Sequence, residues 1–192
     1  MFEHWLNSND PQPQSSFGNG AAMRVSALGW LYDDWRQVKQ EAARSAMPSH
    51  CHKEGIKGAQ CVALLIYWLR TVRVHKDEVV DLAHKAFGYE TPSLRDIYRI
   101  GRLGHVDSTC QETVPAAIRC FEESQNFEDA IRTAVLADGD TDTKAAICGS
   151  IAEAYYEIPE ELAAKAYEFL PVDMLRVVEQ FCALAQADAG RK

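Results

Sequence analysis

Apolar residues recur along most of this chain three or four positions apart, the repeat of helices that bury one face. The pattern is strongest from Gly55 to Val72. There Ile56, Ala59, Val62, Ala63, Ile66 and Leu69 fall at helical spacing within an almost wholly apolar body, which predicts a central helix. His75 to Phe87 repeats it with Val79, Val80, Leu82, Ala83 and Phe87 inward, and Gly88 is placed as a C-cap glycine. Further helices are expected over Ala21–Leu31, Asp33–Met47, Pro92–Arg99, Val114–Glu123, Phe127–Leu136, Thr143–Tyr156, Pro159–Leu170 and Val172–Ala187. Pro48 stops the second of these, because the residue before a proline avoids helical geometry. Pro115 and Pro159 suit first turns. No stretch alternates with period two, so a sheet is not expected. The reading is one all-α domain over residues 1–192, with a loop-rich start over 1–20 and a tail over 188–192.

Composition narrows the function classes. Apolar residues make up 47% of the 192 positions, enough for a core, and the net charge is −8. Lys and Arg are scattered with no basic stripe, which argues against binding nucleic acid through its phosphates. The longest apolar run, Cys61 to Leu69, is too short to span a bilayer. The start is polar and lacks the apolar centre of a secretory signal. The six cysteines form no CxxC pair and sit mostly within apolar helical patterns, as free thiols do. A reduced, cytoplasmic setting is the expectation.

Candidate chemistry begins in the acidic loop Asp138-Gly139-Asp140-Thr141-Asp142-Thr143. Carboxylates at alternate positions repel one another unless solvent or a cation relieves them, and hard cations such as Mg²⁺ or Ca²⁺ take oxygen ligands of this kind. The loop is no EF-hand: counted from Asp138, the glycine and glutamate places hold Thr143 and Gly149. The alternative is a helix cap. The helix that follows is rich in small residues (Ala145, Ala146, Gly149, Ser150, Ala152 and Ala154), which predicts close approach to another backbone. Two other segments stand out. Ser16 to Arg24 is a glycine-rich loop entering a helix, a place where backbone N–H groups can hold phosphate or simply turn. Ser49-His50-Cys51-His52-Lys53-Glu54-Gly55 puts two histidines before the central helix, suited to capping or to lining a ligand. It is not HExxH, and no matching Cys/His cluster stands elsewhere to make a zinc site.

Four segments in order, SFGNGAAMRVS, SHCHKEGIKGAQ, VDSTCQETVPAAI and FEDAIRTAVLADGDTDTKAAICGSIAEAYY, resemble the ADP-ribosylglycohydrolase family. The resemblance implies an all-α, orthogonal multi-helix fold and hydrolysis of the glycosidic bond between ADP-ribose and a modified side chain or related acceptor, assisted by Mg²⁺. It implies metal ligation by Asp140, Asp142 and Thr143, which match the family's Gly-Gly-Asp-x-Asp-Thr motif, with Asp138 in place of its first glycine. It implies ligand binding by Phe17, Gly18, Asn19, Gly20, Ala21 and Met23, and by Ser49 and His50. Lys53 stands where the family commonly has proline.

The family's GD-x-x-G-x-x-x-E and Thr-Asp-Asp-Thr/Ser elements have no match here, and Asp33-Asp34 is no substitute because it follows the glycine-rich loop. The resemblance therefore implies an N-terminally shortened member, with no catalytic residue assigned and a weak or absent Mg²⁺ site. Three functions follow: an ADP-ribosyl hydrolase, a catalytically inactive relative that binds ADP-ribose or a nucleotide, and an interaction module with regulatory or inhibitory character. The shortening also predicts exposed apolar surface, covered by self-association or by a protein partner.

Overall fold

Short polar residues set the helix starts. In the computed structural model, which describes residues 5, 7–72, 75–106 and 108–189, α1 is Gly20–Met23, α2 Ser26–Leu31, α3 Trp35–Ala46 and α4 Lys53–Thr71. The Asp34 carboxylate accepts from the Arg36 amide at 3.0 Å to start α3. His52 Nδ1 accepts from the Glu54 amide at 3.2 Å to start α4. Then come α5 (Lys76–Phe87), α6 (Leu94–Arg102), α7 (Cys110–Glu123), α8 (Phe127–Leu136) and α9 (Thr141–Glu153). Ser93 caps α6 and Asn126 caps α8 through side-chain oxygens. Two C-terminal helices, α10 (Glu160–Glu168) and α11 (Val172–Ala189), complete the chain. Among the described residues there is no strand, only isolated bridges. The all-α expectation holds. The last three positions of the expected tail lie outside the described residues.

The core is built around α4. Val62, Ala63, Leu65 and Ile66 are fully buried, and Leu69 nearly so. Because apolar residues surround the middle of the helix, from Cys61 to Ile66, neighbours must cover every side there. Helices α1, α2, α3, α5, α7 and α9 do so. Gly88 closes α5 in the left-handed region (φ 63°), and its N–H bonds the His84 carbonyl at 2.8 Å. The buried Lys76 stem ends in an ammonium that donates to the carbonyls of Phe121 and Ser124 and to the Tyr156 hydroxyl. That cation fastens the start of α5 to the ends of α7 and α9. Gly149 in α9 makes room for a side chain where a neighbouring backbone was expected, since a Cβ there would stand 2.6 Å from Ile131 Cδ1 on α8.

Several boundaries differ from the sequence expectation. The apolar run Ala21–Leu31 is two helices, because the chain leaves helical geometry at Arg24 (φ −103°, ψ 4°). Helix α6 runs through Gly101 to Arg102, past the end expected at Arg99. Helix α7 begins at Cys110, a turn earlier than its apolar pattern suggests, because the Cys110 amide is held by the Phe17 carbonyl at 3.0 Å. Pro115 consequently lies inside the helix instead of in its first turn.

Ile66→Ala should lower the unfolding free energy by about 2–5 kcal/mol, whereas Leu103→Ala on the surface should change it by less than about 0.5 kcal/mol. Urea denaturation followed by circular dichroism checks both. Equal effects would mean that α4 is not the core.

Candidate functional site

The glycine-rich loop is clamped from two sides by backbone. Gly18 pairs with Thr109 and Ser15 with His50 in isolated antiparallel bridges. The Asn19 amide donates to the Ser108 carbonyl at 2.9 Å, and Cys110 Sγ approaches the Gly18 carbonyl at 3.1 Å. Phe17 packs edge-on against His52, ring centroids 5.5 Å apart, and keeps about half its surface exposed. Segments far apart in sequence thus meet at the N-terminal ends of α4, α7 and α9.

Asn19 joins the loop to the acidic turn. Its side-chain amide donates to Asp140 Oδ2 at 2.6 Å and to Thr113 Oγ1 at 3.0 Å. Burial alone would raise the Asp140 carboxyl. Hydrogen bonds from Asn19, then with Asp142 and Thr143, outweigh it and hold that carboxyl below its ordinary value. Thr143 Oγ1 also reaches Met23 Sδ at 3.7 Å, so the two sequence motifs share a wall. Asp138 takes no part in this cluster. It adopts a left-handed backbone (φ 60°), which Asp tolerates better than most residues, and its carboxylate accepts from its own neighbour, the Gly139 amide, at 3.0 Å. Asp138 thus satisfies its carboxylate locally and Asp140 is given donors, while Asp140 and Asp142 stay close together.

Among the described residues no three His, Cys, Asp or Glu side chains converge as a metal cage. What converges is two carboxylates and a hydroxyl, Asp140, Asp142 and Thr143. Mg²⁺ is commonly held by one or two carboxylates with waters and phosphate oxygens completing its shell, so this donor set fits part of such a site.

The structure brings together most of the residues singled out from sequence. Phe17, Gly18, Asn19, Gly20, Ala21 and Met23 form one wall, with Ala21 buried beneath it and Met23 exposed. His50 Nε2 faces the loop: a Cβ on Gly20 would lie 3.3 Å from it and one on Gly18 3.6 Å. Ser49 lies beside it, with its hydroxyl 2.8 Å from His50 Nδ1. His52 is a helix cap. Sequence reading missed Thr113 and Lys144. Lys144 is almost fully buried and donates to the Asp138 carbonyl, which braces the acidic turn from behind. It borders a separate cavity of about 270 Å³ walled by Ile97, Ile100, Pro115 and Ala116. A long cation within a stripe of small residues was the available signal. Three buried thiols are chemically quiet: burial pushes Cys110 up to about 11 and also raises Cys61 and Cys148.

The family model for ADP-ribosylglycohydrolase matches residues 1–191. This chain belongs to the ADP-ribosylglycohydrolase family. It is 28% identical over 207 aligned positions to ADP-ribosylhydrolase ARH3 of Bos taurus, an alignment covering 84% of this chain and 57% of that protein. It is 32% identical over 177 positions to an uncharacterised protein of Archaeoglobus fulgidus, covering 78% of this chain and 57% of the relative. A solved structure described as an ADP-ribosylglycohydrolase-related protein complex superposes with a TM-score of 0.65 at 26% identity, over 95% of this chain and 64% of that one. The chain thus spans little more than half the length of the curated relatives it matches. Within the described residues, no helix is long and apolar enough to cross a membrane.

Asn19→Ala should cost about 1–3 kcal/mol of stability, because it leaves buried Thr113 and partly buried Asp140 short of a donor. Asn19→Asp should cost more, since it sets a second carboxylate against Asp140. Chemical denaturation of both variants at neutral pH measures this; an Asn19→Asp protein more stable than Asn19→Ala would contradict the pairing.

Proposed function

We propose that this chain binds ADP-ribose, free or attached to a protein side chain or related acceptor, across the Phe17–Met23 loop, and that it takes part in Mg²⁺-assisted hydrolysis of the glycosidic bond. The observation that carries this reading is the 2.6 Å hydrogen bond between Asn19 and Asp140. It fixes the ligand-binding loop against the carboxylates that suit a cation, so one bound molecule can touch both. Mg²⁺, when bound, would neutralise ligand oxygens and polarise them.

The chain's own residues have separable roles in this reading. Asp140 and Asp142 supply anionic oxygens, and Thr143 supplies a hydroxyl at the start of α9. Asn19 keeps the Asp140 carboxylate oriented and ionised. The exposed Phe17 ring offers a flat apolar surface to a base or ribose. Gly18 and Gly20 leave the backbone uncovered where the ligand approaches, and His50 offers a ring nitrogen on the same side. With two carboxylates, the cation keeps much of its water and binds weakly until ligand oxygens complete its shell.

A catalytically inactive module that binds ADP-ribose, a nucleotide or another protein is the second reading. One observation favours a protein contact. Helix α10 buries none of its residues, and Tyr167, Phe169, Val172, Val177 and Leu184 on α10, α11 and the turn between them are exposed. Apolar surface of this kind commonly marks an interface. The partner we propose for this surface is a second copy of the chain.

Calorimetric titration should show Mg²⁺ binding only at millimolar concentration and tighter binding in the presence of ADP-ribose. Hydrolysis of an ADP-ribosylated substrate should require millimolar Mg²⁺ and disappear in Asp140→Ala and Asp142→Ala. Micromolar Mg²⁺ affinity, or affinity indifferent to Asp142→Ala, would overturn the assignment. ADP-ribose binding without turnover would establish the second reading.

Light scattering at micromolar concentration should report a dimer or larger, reduced to monomer by Phe169→Glu with Val177→Glu. A monomer in the unsubstituted protein would remove the self-association.

A further inference from the structure

The ligand loop has a second layer of control that its own residues do not supply. Arg24 lies just past α1 and is exposed, yet its guanidinium turns back beneath the loop. Nη2 donates to Ser49 Oγ at 2.5 Å, and longer contacts run to the carbonyls of Gly20 (3.4 Å) and Ser45 (3.5 Å). Ser49 Oγ is in turn 2.8 Å from His50 Nδ1. A guanidinium has no acceptor, so Ser49 Oγ accepts from Arg24. Among the described residues, the hydroxyl proton has one acceptor within bonding distance, His50 Nδ1. That direction leaves the ring proton on Nε2, the nitrogen facing Gly18 and Gly20.

We infer that Arg24 is a positioning residue: through the Ser49 hydroxyl it holds His50 in the neutral tautomer that presents an Nε2–H donor to the Gly18–Gly20 loop and to an oxygen of the ligand bound there. The tautomer of a histidine is set by the hydrogen bond its other nitrogen makes, and here that bond is polarised by a permanent cation. Burial, and then the Arg24 charge, hold the imidazole below its ordinary value, in keeping with a neutral ring. A neutral donor discriminates by geometry, accepting a phosphate or ribose oxygen only where Nε2–H points. An imidazolium would draw anions from either ring edge. The ligand part of this inference rests on the ADP-ribose reading above; the tautomer part does not.

Long-range ¹H–¹⁵N spectra of the full chain, without ligand at neutral pH, report which His50 nitrogen carries the proton. The unsubstituted protein should show the Nε2–H form. Arg24→Gln and Ser49→Ala should each populate the Nδ1–H form, and Ser49→Thr, which keeps the hydroxyl, should restore Nε2–H. ADP-ribose affinity by calorimetry should fall about fivefold to tenfold in Arg24→Gln and Ser49→Ala and recover in Ser49→Thr. A loop-holding role alone for Arg24 would weaken binding without moving the proton, so an unchanged tautomer in Arg24→Gln overturns the inference, whatever Ser49→Ala shows. So does an Nδ1–H form in the unsubstituted protein. If His50 is Nε2–H as assigned but the chain binds no ADP-ribose at millimolar concentration, the positioning stands and the ligand reading falls.

Discussion

From Cys61 to Ile66, helix α4 is apolar and buried on every side. A helix with one apolar stripe can rest on a neighbour. One without a polar face must be wrapped, or it exposes surface worth about 25 cal/mol per Å². The wrapping explains why short helices from both halves of the chain converge on it. It also explains where the site lies. The sides of α4 are taken by packing, so the polar residues gather at its N-terminal end, where His52 caps the first turn and the strand-like segments around Ser15 and Gly18 cross. The loop, the histidine pair and the acidic turn are neighbours because they all occupy the end that the core leaves open.

The acidic turn shows how such an end is kept in shape without a rigid scaffold of its own. It is held from the front by Asn19 and from behind by Lys144. The first contact crosses between motifs far apart in sequence, and the second runs from the start of α9 back onto its own preceding turn. A site made this way is ordered by the same hydrogen bonds that set its charge. Orientation and ionisation of Asp140 are consequently one property, because the amide that aims the carboxylate also stabilises its anion.

Much of the fold was legible in the residues, for a physical reason. Helical periodicity is a local record of burial, and Ile56 to Leu69 wrote it clearly. Caps such as Gly88 have one short list of causes and were equally readable. Boundaries were harder where a long-range contact sets them. The α7 start at Cys110 depends on the Phe17 carbonyl, more than ninety positions away, and no local pattern encodes it. The candidate site residues were singled out through the family resemblance and the acidic loop's chemistry, and the structure places Asp140, Asp142 and Thr143 beside the loop residues. Their partners were not recognisable. Thr113 looks like any helix threonine, and Arg24 like any surface cation, until the fold brings them to Asn19 and Ser49.

The C-terminal pair α10 and α11 has a different energetic standing from the rest. It leans on the body mainly through α11 against α2, near Trp30, and α10 has no buried residue. Cooperativity follows shared burial, so these helices do not share the fate of α4. Their amide protons should exchange with solvent through partial opening that leaves the remaining structure intact, whereas those of α4 should wait for global unfolding. Packing of this kind divides the described residues into a well-buried body and a lightly held C-terminal pair, and the pair carries much of the exposed apolar surface.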